Sequence, residues 1–264
     1  MPPDDGKAVE VRAPVRGRSL TLFNRRQLKR SEVIARDLVA YIVEARLPAG
    51  SKLPVEREMI EQIGVGRTTV REALRILETR GVLTIRPGPG GGPTVRRPEP
   101  GDLKDALMLI LQFERATMAE VFDAGIWLEP VAARMAAAKI TDTELARLRE
   151  LNSEMEETIK STEDTITSAD QDFHRVIAGA TANLVVQVFC DSLMMVADSG
   201  VADVAQSTEF KRSAVRGHQE IIEALEAKDP GRAEEAMCRH VTDGQARRAK
   251  ENRDLLSRPL RWAP

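Results

Sequence analysis

At 264 residues with 42% apolar side chains, the chain has room for one large domain or two modest ones; 3% aromatic residues points to aliphatic packing between helices. The net charge of −2 conceals two parts of opposite sign: residues 1–97 hold 19 Lys and Arg against 11 Asp and Glu, and residues 98–264 hold 20 against 30. That balance suits a nucleic-acid module joined to an acidic partner domain; two cysteines, no signal-like apolar start and no run near the roughly 20 residues of a membrane span argue against disulfide scaffolds, secretion and membrane insertion, so a cytoplasmic protein is expected.

Residues 1–24 are rich in proline, glycine and charge without a usable period, and seven basic residues with no acid stand between Glu10 and Glu32. They read either as a basic flexible arm, whose Arg12 and Arg16 add nonspecific phosphate contacts, or as a plain disordered tail. Residues 25–97 read as a winged helix-turn-helix. A first helix runs from Ser31 to near Arg46 with Val33, Ile34, Leu38 and Ile42 inward. Pro54 sits where a first helical residue is tolerated, and Met59, Ile60 and Ile63 give the next helix an apolar side. Gly64 breaks that helix and Gly66 opens another after the short turn a helix-turn-helix needs. In this third helix Val70, Ala73, Leu74 and Leu77 form a stripe for burial. Arg67, Arg71 and Arg75 recur every four residues roughly 100° round the axis, where they can meet guanine edges or phosphates. A solvated arginine face is the commoner meaning of such a stripe. Thr68 and Thr69 at the helix start shift the balance, as does the hairpin Val82–Ile85, Pro87–Pro93, Thr94–Val95 that follows, whose glycine tip around Gly90 lets backbone approach a phosphate or minor groove.

The stretch Ala49-Gly50-Ser51-Lys52-Leu53-Pro54, Glu56-Arg57-Glu58, Val65 through Leu74, Leu77-Glu78 and Gly81-Val82-Leu83 resembles the winged-helix domain of the GntR family of bacterial transcription regulators. The resemblance implies Arg57, Arg67 and Arg71 as operator-contacting arginines, Thr68 beside them, and the wing tip at the minor groove. Val55 and Gly66 replace the family's usual serine caps. Glycine caps a helix acceptably and valine does not, so the helix after Val55 is expected to fray.

Pro98–Gly101 is a linker by composition, placing a boundary at residues 98–102. Residues 103–252 read as an all-α bundle, with helices at Leu103–Phe113, Thr117–Lys139, Thr141–Lys160, Ser168–Ala180, Leu184–Asp198, Phe210–Ala227 and Gly231–Asn252. Thr141-Asp142-Thr143-Glu144 is a capping box. Residues 253–264 read as a tail. The fold class is therefore mostly α: a winged helix with a small β wing, then a helical bundle.

All three histidines, His174, His218 and His240, fall in the bundle. Asp170 lies one turn before His174, on the same helix face. His218 and His240 each stand eleven residues from Asp229, so two helices folding at that turn bring them to one height, about 16 Å from the bend at 1.5 Å per residue. Converging, these four residues would form a site for zinc, nickel or manganese; an isolated helical histidine is more often a surface or hydrogen-bonded residue. Asp172 points away from His174, and Cys238 away from His240.

Asp170-Gln171-Asp172-Phe173-His174, Asn183, His218 ahead of Ile221–Leu225, and Ala236-Met237 ahead of His240 resemble the FCD ligand-binding domain of FadR-like GntR regulators. The resemblance implies a divalent metal held by Asp170, His174, His218 and His240 beside a central cavity, a small carboxylate effector, and a homodimer reading an inverted-repeat DNA operator. Asn183 belongs to the matching pattern and is expected at the effector. The family's effector arginine, four residues before the glutamate of a Leu-Glu step, is here Gly125, and Arg134 one turn past that step is the substitute expected. Two other readings stand beside this one: a metal-dependent helical-bundle enzyme acting on a small metabolite, and a bundle serving dimerisation alone.

Overall fold

A computed structural model of the chain describes residues 29–88, 90–160, 167–201, 204 and 206–262; the basic arm of residues 1–24, with Arg12 and Arg16, lies outside the described residues. Among the described residues there are ten helices and one two-stranded sheet. They divide into two compact units, the first reaching to Thr79 and including Ile85–Val95, the second holding Arg80–Thr84 and the chain from Arg96.

In the first unit α1 (Arg30–Glu44) and α2 (Glu56–Ile63) both pack on α3 (Arg67–Thr79). The stripe expected to be buried on α3 is buried in full: Val70, Ala73, Leu74 and Leu77. Val55 offers α2 no side-chain cap, yet its N–H donates to the Glu58 carboxylate at 3.2 Å, supplying one half of a capping box where the fraying was expected. Gly64 ends α2 at φ 72°, a left-handed turn that favours glycine. The wing pairs β1 (Leu83–Arg86) with β2 (Gly92–Val95). The segment before α2 joins β2 on its other edge: Leu53 N–H donates to Pro93 O at 3.0 Å and Val95 N–H to Ser51 O at 2.8 Å.

In the second unit the expected linker is shorter than composition suggested. Pro100 opens α4 (Pro100–Phe113), and the Asp102 carboxylate accepts from the Glu99 N–H at 2.7 Å and from Arg96 at 2.8 Å. Proline without an N–H fits this first helical position, so a residue that reads as a breaker is a starter. α5 (Met118–Ala137) continues through Pro130; α6 (Asp142–Lys160), α7 (Thr167–Ala180), α8 (Leu184–Val201), α9 (Thr208–Glu226) and α10 (Pro230–Glu251) follow. The Thr141–Glu144 capping box starts α6, with Thr141 N–H donating to Glu144 at 2.8 Å and Glu144 N–H to Thr141 Oγ1 at 3.3 Å. Ala133, Ala136 and Ala137 on α5 are buried in one core with Phe173, Ile177, Ile221, Ile222, Ala233 and Ala236. Small side chains there let α10 lie close along α5.

Two expectations need correction. The segment after α10 is not a loose tail: Leu255 and Leu260 are buried beside Met108, Met118 and Val121. Arg258 O and Leu256 O accept the Met118 and Ala119 N–H groups at 3.1 and 3.0 Å, filling positions that any helix N-terminus leaves open. Second, α8 is long and apolar enough to cross a membrane by length and composition, at mean hydropathy 1.5, although it packs against α4, α5 and α7 of its own unit.

Candidate functional site

On the first unit the side chains of Arg57, Arg67 and Arg71 are all more than half exposed, and Thr68 is exposed beside them. Arg67 Nε donates to Glu56 Oε1 at 2.9 Å, and Arg71 Nε lies 3.2 Å from Glu56 Oε2. One half-buried carboxylate on α2 therefore holds two arginines one turn apart on α3. Pairs this exposed contribute little stability, so Glu56 acts chiefly on where the guanidinium groups stand. The sequence reading missed it, since nothing in the spacing joins a residue on one helix to arginines on the next. Gly90 sits at the exposed wing tip with φ 77°, and its carbonyl accepts from Lys52 Nζ at 3.3 Å. A methyl group on neighbouring Gly91 would collide with the Arg86 carbonyl.

The second unit contains a cavity of about 310 Å³ lined by residues of α5, α7, α8, α9 and α10. Asp170, His174, His218 and His240 meet at it, with one ligand atom from each lying within 4.8 Å of the others. The local reasons are legible in the chain. Asp229 Oδ1 accepts the Gly231 and Arg232 N–H groups at 3.1 Å each, fixing the start of α10. The α9–α10 turn then brings the His218 and His240 rings to 4.6 Å between centroids. His240 Nε2 and His174 Nε2 face each other at 3.3 Å; His218 stacks on Phe173 at 3.7 Å with its Nε2 3.5 Å from Asp170 Oδ1. Gly217 makes this possible: a Cβ there would lie 2.5 Å from His240 Nδ1.

Burial and the neighbouring His240 and His174 hold His218 well below the usual imidazole range, and burial with His174 and Arg248 does the same for His240. Burial also opposes charge on His174, but Glu129 and Asp170 outweigh it and push that imidazole up to about 9. Glu129 Oε2 lies 2.5 Å from His174 Nδ1, a close ion pair. Burial, then Asp170, pushes Asp198 up to about 7. Both ring nitrogens of His218 are buried without a hydrogen-bond partner. Neutral His218, with both nitrogens orphaned, and neutral His240, next to the Asp170 carboxylate, are donors that fit a divalent cation; on a six-coordinate ion the four protein ligands would leave positions open. Glu129 is the neighbour that orients His174, and it went unassigned in the sequence reading.

The two effector residues expected from the sequence are elsewhere, and this is a correction. Arg134 follows Glu129 by five residues, a rotation of about 140° on a helix, so when Glu129 faces the cavity Arg134 does not. Its Nη1 donates to Glu234 at 2.7 Å on the surface. Asn183 caps α8, its Oδ1 accepting from the Val185 and Val186 N–H groups at 3.1 and 3.3 Å. Neither lines the cavity, whereas Gly125 does.

The profile described as "Bacterial regulatory proteins, gntR family" matches residues 30–91, and the profile "FCD domain" matches residues 120–243. The "Uncharacterized HTH-type transcriptional regulator YcbG" of Bacillus subtilis is 32% identical over 83% of this chain and 88% of its own length. The "HTH-type transcriptional repressor NanR" of Edwardsiella tarda is 30% identical over 81% of this chain and 83% of its own. Among solved structures, Streptococcus agalactiae GntR aligns with a TM-score of 0.65 at 29% identity, covering 83% of this chain and 99% of that one.

Proposed function

Because this chain belongs to the GntR family of bacterial transcription regulators, with an FCD domain after its DNA-binding domain, we propose that its operator affinity is set by a small carboxylate bound at a metal site in the helical unit. Its family and relatives are regulators rather than enzymes. One observation carries the reading: orphaned imidazole nitrogens and a carboxylate gather at a cavity in the helical unit, while a separate unit exposes the arginines of α3.

Asp170, His174, His218 and His240 would hold the ion, with zinc, nickel and manganese the candidates. When bound, the metal supplies positive charge and open coordination positions for an acid. Glu129 keeps the His174 ring oriented, and Phe173 keeps His218 flat against it. An effector changes DNA affinity only if it favours one arrangement of the protein over another, typically by 1–3 kcal/mol. The route out of the bundle is Arg96–Asp102, where Arg96 Nη1 donates to Asp102 at 2.8 Å and the Arg96 N–H donates to Val82 O, also at 2.8 Å. The protein acts in the cytoplasm, as a homodimer on an inverted-repeat operator.

The test is metal analysis of wild type and His218→Ala, then operator titration of loaded and stripped protein with carboxylates. Wild type should carry about one ion per chain and the variant much less. Equal metal content in the two sinks the ligand assignment; identical effector responses from loaded and stripped protein sink the mechanism.

A further inference from the structure

A cavity read as a carboxylate site needs a cation in its lining. Four arginines line it. Arg239 is paired with Glu220 and Arg247 with Glu209, each at 3.1 Å, and Arg216 is exposed. Arg248 differs from these. Its guanidinium carbon lies 5.3 Å from the Phe122 ring centroid and 5.0 Å from that of Phe210, so two aromatic faces grip it. Its Nε is buried with no hydrogen-bond partner, and no carboxylate among the described residues forms an ion pair with it. A cation immobilised by packing, with a polar atom buried and unpaired, is organised for a ligand that brings acceptors.

The register of α10 gives the ligand a shape. His240, Gly244 and Arg248 follow one another at intervals of four and share one face. A Cβ on Gly244 would lie 3.5 Å from Arg248 Nη1, so the guanidinium folds back along the helix towards His240 and rests over Gly244. Between the histidine cluster and the arginine lies a strip of bare backbone roughly one helical turn long, about 5.4 Å. All three residues line the same cavity.

Building on the regulator reading above, we propose that Arg248 is the anion-recognising residue of the cavity and that its ligand is a small two-ended acid. One carboxylate sits at the Asp170/His174/His218/His240 cluster, and the other is held by Arg248 across Gly244. The clamp by Phe122 and Phe210 means that little side-chain freedom is lost on binding.

The test uses calorimetric titration of full-length, metal-loaded protein with malonate, succinate and glutarate, against acetate and succinamide as one-ended and uncharged controls. At least one of the dicarboxylates should bind wild type tenfold or more tightly than acetate or succinamide. Arg248→Met, which keeps an apolar stem between the rings, should lose that margin while metal content stays at the wild-type level, and Arg248→Lys should recover part of it. Gly244→Leu puts a side chain where the guanidinium rests and the acid would cross, and should abolish dicarboxylate binding. Unchanged discrimination in Arg248→Met overturns the proposal, as does failure of all three dicarboxylates to bind wild type at 10 mM. The two readings fail separately: wild type that binds a dicarboxylate through Arg248 but holds no metal removes the metal and leaves Arg248. An operator response to an uncharged compound alone leaves the regulator and removes the two-ended acid.

Discussion

Gly217 and Glu56 show how a single side chain, or the lack of one, sets the geometry of groups several residues away. His240 can approach α9 only because position 217 carries no Cβ. Gly217→Ala should therefore displace the imidazole and weaken metal binding by roughly 10–100-fold, the range seen when support for a ligand is lost, with the helical content of the bundle unchanged by circular dichroism. Retention of wild-type metal affinity would mean that His240 is not a ligand or that α9 yields easily. On the DNA side, Arg71→Ala removes an exposed guanidinium that Glu56 holds in place. It should lower discrimination between operator and scrambled duplex by about 1–3 kcal/mol, measured by titration at fixed salt; equal losses on both duplexes would make Arg71 a phosphate contact. Asp170 with His174 on α7, and His218 with His240 across the α9–α10 turn, could be paired from the sequence because each spacing belongs to one helix or one turn; that the two pairs meet came only from the resemblance. Glu129, Gly217 and Arg248 could not be read from the sequence, because their roles depend on which faces of different helices meet. Arg134 shows the opposite error: proximity in sequence to Glu129 suggested a shared site, and 140° of rotation separates them.

Elements followed their periodicity wherever a periodicity existed. The α3 stripe and the α6 capping box stand where the sequence placed them, since both are local patterns of hydrophobicity and hydrogen bonding. Segments without a period were misread. The chain after Asn252 has no amphipathic pattern, and its place in the fold comes from long-range partners: buried Leu255 and Leu260, and two carbonyls that receive the first N–H groups of α5. It works as an external cap on that helix. Leu255→Ala, at a side chain with no exposed surface, should lower unfolding free energy by about 2–5 kcal/mol, read from urea denaturation. A loss below 1 kcal/mol would show that the segment rests on the bundle without supporting it. The same logic explains α8, whose apolar character spans both a buried side and an exposed one. A hydropathy window sums the two faces and cannot separate a membrane helix from one that is covered on one side within the unit and presents apolar groups outward on the other.

That outward side belongs to the scale of the assembly. Ala132 of α5 and Cys190 of α8 are buried in one apolar cluster. The exposed sides of the two helices carry Trp127, Val131, Leu184, Val185 and Phe189, with Trp127 78% and Leu184 72% exposed. Scattered apolar groups are normal on a protein surface; a bulky set on two adjoining helices is the candidate for the proposed dimer face. Under the homodimer proposed above, a second copy of the chain would cover this face. One winged helix reads a short half-site, and a two-fold pair doubles the sequence read while imposing an inverted repeat on the operator. Such a face is self-complementary, so a charge placed on it meets the same charge across the axis and is buried without a partner. On that proposal wild type should sediment as a dimer at micromolar concentration and the double variant Trp127→Glu, Phe189→Glu as a monomer. Its metal content should match wild type, because neither residue lines the cavity. Binding to a duplex holding two half-sites should fall to the level wild type shows for a duplex holding one. A variant that remains dimeric would place the interface elsewhere, with the exposed apolar residues Ile110 and Phe113 of α4 the next to be changed.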